Sequence, residues 1–558
     1  MLPLLMATNA YAQRAPDAGS LLNQQRRGDM APGSTTPRGE EVLDLPMPDS
    51  AAEGTGVQVT VRAIRFGGDR DLASAEKLAL LVEPVIGRTL DHAGFQKLAD
   101  NITRYLRGRG YAVASAYLPR QDVTAGNIEI AILAGRLDDG PDAITVEGHT
   151  RLRRNRITGP IASAVRSGRP LRAADLERGL LIVNDLPGMA VRSTLAPGSR
   201  PGTTRLIVHA KQDALLSSDL TTDNYGNAST GMIRAGAGLR LVDPLGVGDQ
   251  VVMGVSLASG STLLNAGYAV PIGTSPIRLQ VAASYLEYDV RQPALRVLAL
   301  DGSARSNNIG INAPLLRSRG SNLSLALGYE RLALEDRALG TIISNRRLDN
   351  LSVALSGNRI DAIGGGGLNE AALTLTFGRV DLDRDAQQRL IDQLTARTAG
   401  NYAKLSGRVS RLQTLDGNRR WTFLAGVSGQ AAGRNLDSSA RFLLGGPGGV
   451  RAYGVGQGIG DEGVLTTLEL RRAIEWGNVQ LQGLAFLDGG RIWTNARPWR
   501  TGSNTTAFHA TGFGLDLRGP NWAIRTAIAR RIGRPDVTAS GIEPIPDWRG
   551  WLQTVVRF

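Results

Sequence analysis

From about Leu215 to the last residue, Phe558, apolar and polar positions alternate with a period of two. Ile277, Leu279, Val281, Ala283 and Tyr285 alternate with Arg278, Gln280, Ala282 and Ser284. Leu323, Leu325, Leu327 and Tyr329 repeat the pattern, as do Leu373, Leu375 and Phe377. Trp421, Phe423, Ala425 and Val427 alternate with Thr422, Leu424, Gly426 and Ser428. A period of two sends successive side chains to opposite faces of a strand. About sixteen such segments over residues 213–558, roughly ten residues each, predict an all-β transmembrane barrel of antiparallel strands. A soluble sandwich also alternates, but it does not usually need so many strands. Turn signals such as Asp243-Pro244-Leu245-Gly246 suit the short connections at a barrel's periplasmic end.

Before Leu215 the pattern is different. Val57, Val59 and Val61 alternate, so Val57–Phe66 reads as a strand. Asp71–Leu81 suits a helix, and Phe95, Leu98, Ala99, Ile102, Tyr105 and Leu106 recur at helical spacing until Gly108 and Gly110. Tyr111–Leu118 and Ile128–Leu133 read as strands. The order β-α-α-β-β fits a small α+β domain over residues 55–138. The order returns over 139–212: a strand at Ala143–Val146, helices at Arg154–Val165 and Ala173–Asn184, then strands at Val191–Leu195 and Arg205–His209. Asp138-Asp139 falls between the two units, where solvated charge is the expectation. Ahead of both, Leu21-Leu22-Asn23-Gln24-Gln25-Arg26-Arg27 suits a short polar helix within residues 13–28, marginal alone in water. Residues 29–54, with Pro32, Pro37, Pro46 and Pro48, suit a flexible linker. Residues 1–12 end in Ala10-Tyr11-Ala12, a secretory cleavage pattern, although no basic stretch precedes the apolar Leu2–Met6; a disordered soluble N-terminus is the other reading.

Composition narrows the classes. The chain has no cysteine, which permits an oxidising compartment and excludes thiolate metal sites. Its net charge of +13 comes from scattered arginines rather than a dense tract, so no nucleic-acid partner is expected. No apolar run reaches transmembrane-helix length. The four histidines, His92, His149, His209 and His509, show no ligand spacing, and no phosphate loop, H-E-x-x-H or G-x-S-x-G occurs. The expectation is no enzyme, no cofactor and no metal.

One glycine-rich stretch interrupts the barrel pattern, Arg441 to Gly463, with Val450-Arg451-Ala452-Tyr453 at its centre. Such a loop is either a functional insertion or a disordered tip. It resembles the V-R-G-Y/F loop of the BamA-related outer-membrane barrels. Phe486, Asp488 and Gly490 resemble those barrels' F-x-D-x-G strand motif. Ala452 stands where the family has its second glycine, which removes some backbone freedom. Tyr105–Gln121 (YLRGRGYAVASAYLPRQ) and Asn184-Asp185-Leu186-Pro187-Gly188 resemble the first and second POTRA domains of one branch, the TpsB transporters of two-partner secretion, which are ShlB/FhaC/HecB-like haemolysin activation/secretion proteins. The final strand, ending in Phe558, resembles the assembly signal of outer-membrane barrels.

That resemblance implies two periplasmic POTRA modules, an N-terminal plug helix and an outer-membrane pore exporting a partner haemolysin or adhesin. It implies contact with outer-membrane lipid or lipopolysaccharide, and with the barrel-assembly machinery during biogenesis. An insertion factor of the same superfamily is the alternative. Tyr105, Tyr111 and Tyr117 are candidates for partner capture, although the modules can also be read as spacers. Alternation along Asn478–Gly490 turns Gln480, Gln482, Phe486 and Asp488 to the lumen and Val479, Leu481, Ala485 and Leu487 to lipid. A confined carboxylate calls for a cation, and the loop is long enough to bring Arg451 to Asp488. The sequence allows that salt bridge and the resemblance supports it. Glu469 and Arg471 should also face the lumen, either lining the conduit or merely solvating it.

Overall fold

The computed structural model describes residues 16–29, 58–166, 168–383, 385–533 and 546–558, with no side-chain description for 27–29. The expected signal segment, residues 1–12, and nearly all of the expected linker, 29–54, lie outside them.

The first module begins with two short strands, Val59–Thr60 and Ala63–Gly68, rather than one. The break is a change of partner: Thr60 pairs with Thr89, whereas the Arg62 amide turns to the Gly126 carbonyl and Ala63 joins Asn127–Leu133 in parallel. The helix expected from Asp71 starts later, as α2, Ala75–Val82, because the Ser74 hydroxyl caps it by accepting from the Lys77 amide. α3, His92–Gly108, buries Phe95, Leu98, Ala99, Ile102 and Leu106 at the expected spacing. The strand expected over Tyr111–Leu118 is only Ser115–Tyr117, since Ala112 instead donates its amide to Leu171 of the second module. In that module α4, Arg154–Ala164, and α5, Ala173–Asn184, pack on Ile144–Glu147, Met189–Pro197 and Thr203–Gln212.

The two modules are joined by more than a linker. Ala112 and Val113 of the first pack into the core of the second, and Ala173 donates its amide to Gly110. Arg136, whose short strand Arg136–Leu137 pairs with Thr203–Thr204 in the second module's sheet, reaches back to Asp69 of the first at 2.8 Å. Asp138 departs from the expectation of a solvated linker charge: it is buried and accepts the Ser199 amide and hydroxyl at 2.8 and 2.9 Å. Those bonds hold its carboxyl below the usual range.

Among the described residues sixteen antiparallel strands close a barrel. They are β1 Leu216–Asp223, β2 Arg234–Val242, β3 Gln250–Ala258, β4 Ser261–Pro271, β5 Arg278–Asp289, β6 Asp301–Arg317, β7 Ser321–Ala338 and β8 Thr341–Asp361. The second half is β9 Gly367–Asp381, β10 Gly400–Thr414, β11 Trp421–Ala432, β12 Glu462–Trp476, β13 Val479–Trp493, β14 Thr505–Arg518, β15 Trp522–Arg531 and β16 Trp548–Arg557. Alternation decides the faces: on β8, Leu351, Val353 and Leu355 are exposed, while Arg346, Leu348 and Asn350 point inward and are buried. Crossing is by strands; no described helix is long and apolar enough to span a membrane.

The second module fixes the orientation. Its last strand runs into β1, so the turns after β2, β4 and β6 face the periplasm. Each touches the module: Arg153 donates its amide to Gly246, Arg156 its guanidinium to Gly273, and Arg319 pairs with Glu177 at 2.8 Å. β7 and β8, at 18 and 21 residues, extend past the bilayer on the outer side, since about ten residues suffice to cross.

Candidate functional site

Two elements enter the barrel from opposite ends of the sequence. The first is α1, Ala18–Asp29. The short polar helix of the sequence reading is buried: Ala18, Leu21 and Leu22 lie against Leu263, Leu286, Leu334 and Leu348 of the barrel wall. That burial supplies what an isolated twelve-residue helix lacks. Polar contacts fix its register. Asp17 and Ser20 exchange capping bonds, with the Ser20 amide on Asp17 Oδ1 at 2.8 Å. Arg26 reaches Glu330 at 2.7 Å.

The outer end of α1 sits in a charge cluster. Arg346 of β8 pairs with Asp437 at 2.8 Å, Asp336 at 2.9 Å and Asp17 at 3.4 Å. The Tyr288 hydroxyl and the Ala18 amide both donate to Asp336 Oδ1 at 2.7 Å, and Ser438 donates to Asp17 at 2.8 Å. Three carboxylates thus surround one guanidinium.

The second element is the loop between β11 and β12. It folds into the lumen, its base pinned by pairing of Phe442–Leu443 with Ile459–Gly460. The Val450 amide closes a turn on Leu444, and Gly446 takes a φ of 109°, which a side chain would resist. Ala452 does not take a positive φ and is fully buried, so the missing second glycine does not block this fold.

At the tip, Arg451 donates Nε and Nη2 to the two oxygens of Asp488, both at 2.7 Å. The remaining Nη1 goes to Glu469 at 2.8 Å, and Glu469 accepts Arg471 on its other oxygen at 2.6 Å. Phe486 lies under the guanidinium, 3.4 Å from ring centre to Cζ. Tyr453 stacks on Phe508 at 3.7 Å, and Trp551 donates its indole N–H to the Arg451 carbonyl at 2.7 Å. Gly490 is required by contact: a Cβ there would lie 2.4 Å from Leu444. Arg451, Asp488 and Glu469 are all buried. Forked hydrogen bonds of this kind suit a desolvated ion pair.

The sequence reading placed Arg451, Asp488, Phe486 and Gly490 but left Glu469 and Arg471 open, and it missed Trp551 and Phe508. Alternation offered a signal for Trp551, whose neighbour Leu552 is an outward position. The loop and α1 also touch each other. Asn23 donates to the Arg441 carbonyl at 2.9 Å, and Asn227 donates to both Gln24 and Val455.

The three tyrosines are not brought together. Tyr117 is exposed at the edge strand Ser115–Tyr117. Tyr105 and Tyr111 are half-buried against the first module's core.

Residues 202–519 match the family model described as haemolysin secretion/activation protein ShlB/FhaC/HecB, and residues 59–135 match a POTRA domain of ShlB type. The heme/hemopexin transporter protein HuxB of Haemophilus influenzae is 24% identical over 95% of this chain and 94% of its own length. The solved structure of CdiB from Escherichia coli superposes with a TM-score of 0.73 at 20% identity, covering 98% of this chain and all of that one. CdiB from Acinetobacter baumannii gives 0.62 at 16% identity, covering 96% of each.

Proposed function

Because this chain belongs to the haemolysin secretion/activation protein family, we propose a division of labour among its parts. The chain is an outer-membrane transporter, not an enzyme, that exports a secreted partner protein, with its POTRA modules in the periplasm. In our reading residues 55–138 and 139–212 capture the partner, a haemolysin or adhesin, and residues 213–558 conduct it. An extended chain can add to an edge of the first module's sheet through backbone hydrogen bonds that tolerate many sequences; at Ser115–Tyr117 the Ala116 amide is already held by the Thr103 hydroxyl at 2.8 Å, so the exposed Tyr117 side chain is what that strand offers. The outward apolar face meets lipid and lipopolysaccharide, and the Phe558-terminated strand addresses the barrel-assembly machinery.

The observation that carries this reading is α1 seated inside the closed barrel, held at both ends by ion pairs. It acts as a plug that withdraws when a partner engages. The bond from Asn23 to the loop, and the bridge from Gln24 through Asn227 to Val455, make the Arg451 loop sensitive to that withdrawal. Deleting residues 14–28 should raise single-channel conductance in planar bilayers while the barrel still inserts. Unchanged conductance would remove the plug from the mechanism.

A further inference from the structure

At the periplasmic junction the first module, the second module and the barrel rim converge on a cavity of about 690 Å³. α4 and α5 form one wall, the barrel turn Thr274–Pro276 another, and Tyr111 of the first module an edge. Arg166, Arg169, Arg172 and Arg178 line it, against one carboxylate, Asp175. Arg172 lies over the Tyr111 ring at 5.5 Å. All four arginines are exposed, and among the described residues none forms an ion pair. Nearby junction arginines behave differently: Arg317 pairs with Asp185, and Arg319 with Glu177. A concave site lined by one sign of charge focuses its field and draws in the opposite sign.

The volume falls in the range of ligand-binding clefts, about 300–1,000 Å³. Pro160, Val165 and Ile182 interleave apolar wall with the arginines. That mixture suits an extended polypeptide carrying acidic and apolar side chains better than a lone phosphate headgroup. Tyr111 connects the cavity to the first of the two modules assigned to capture. We propose that this pocket receives an acidic, extended stretch of the transported partner as it passes from the modules to the barrel. The proposal rests on the transport reading above and adds the chemistry of what is recognised.

The test uses the full chain in detergent and a fluorescent peptide that alternates glutamate with valine. Anisotropy should report binding that weakens with salt. It should fall at least about tenfold when Arg166, Arg169 and Arg178 are all changed to Gln, as expected for lost charge complementarity. A peptide with glutamine in place of glutamate should not bind. The Arg317→Gln variant, outside the pocket, controls for the junction, and heat-modifiable migration controls for folding. Equal binding by wild type and triple variant overturns the proposal. So does binding of phosphatidylglycerol vesicles at these arginines without binding of the peptide, which makes the pocket a lipid site. Secretion separates this from the parent reading: a partner that needs Arg451 but not the three pocket arginines leaves the transporter intact and overturns the pocket's role.

Discussion

At the scale of residues, Arg451 holds Asp488 with two bonds and Glu469 with a third. Removing one member of a buried pair costs about 3–5 kcal/mol, because the remaining charge stays desolvated. Here Arg451→Ala leaves Asp488 without a cation, while Glu469 keeps Arg471. It should cut secretion of the partner by at least about tenfold, equivalent to about 1.4 kcal/mol of the working conformation, while the barrel remains inserted and heat-modifiable. Glu469→Gln should do less, because Asp488 still holds the fork. The charge swap, Arg451→Asp with Asp488→Arg, should not restore secretion, since it sets a new carboxylate beside Glu469. Full rescue would mean that pairing with Asp488 is all that matters. The motif residues were legible through their resemblance to the barrel family's loop and strand motifs; alternation added only that Asp488 points inward, where a carboxylate calls for a cation. The role of Glu469 was not, because its partner depends on how deeply the loop enters, a property of packing rather than of spacing.

At the scale of elements, periodicity located α3, α5 and most strands, because the apolar stripe of each is what its burial requires. It misjudged elements whose ends are set by partners from elsewhere. Val57–Phe66 splits where its hydrogen bonds change neighbours, and Tyr111–Leu118 shortens where Ala112 leaves to join the second module. α1 looked polar because its apolar side is only Ala18, Leu21 and Leu22, and its glutamines find partners on the wall. The contact between modules also titrates. Arg136 holds the Asp69 carboxyl below the usual carboxylate range. A depressed carboxylate contributes fully above its unfolded pKa, about 3.9, and loses that contribution as pH falls through the lower folded value. Protease cleavage between the modules should therefore rise below about pH 4, and Asp69→Asn should show the raised cleavage already at neutral pH. Tyr105 and Tyr111 serve the first module's core, so Tyr117→Ala is the cleaner probe of capture: partner binding should weaken several-fold with no change in thermal unfolding.

At the scale of the whole molecule, the barrel is closed unevenly. β16 meets β1 over five registered pairs, Asp219–Arg557 to Asp223–Gln553, whereas β7 and β8 pair along nearly their full length. Backbone amides along that seam should exchange with deuterium ahead of those between β7 and β8, because fewer bonds must open together; slower exchange at the seam would contradict this. The opposite, taller wall carries Arg346, and the cluster there has an energetic meaning for the closed pore. Arg346 is shared: Asp437 and Asp336 hold it at 2.8 and 2.9 Å, and Asp17 of α1 has the longest of the three contacts, 3.4 Å. Opposite charges attract strongly where water is scarce. In our reading of α1 as a plug, two carboxylates of the barrel keep the guanidinium in place after the helix has left. The latch therefore stays assembled while its bolt is out, and a returning α1 meets a ready-made socket. Asp17→Asn preserves an acceptor for Ser20 and Ser438 but removes the ion pair to Arg346. It should make spontaneous openings more frequent than in the wild type, and rarer openings would show that repulsion from the neighbouring carboxylates dominates instead.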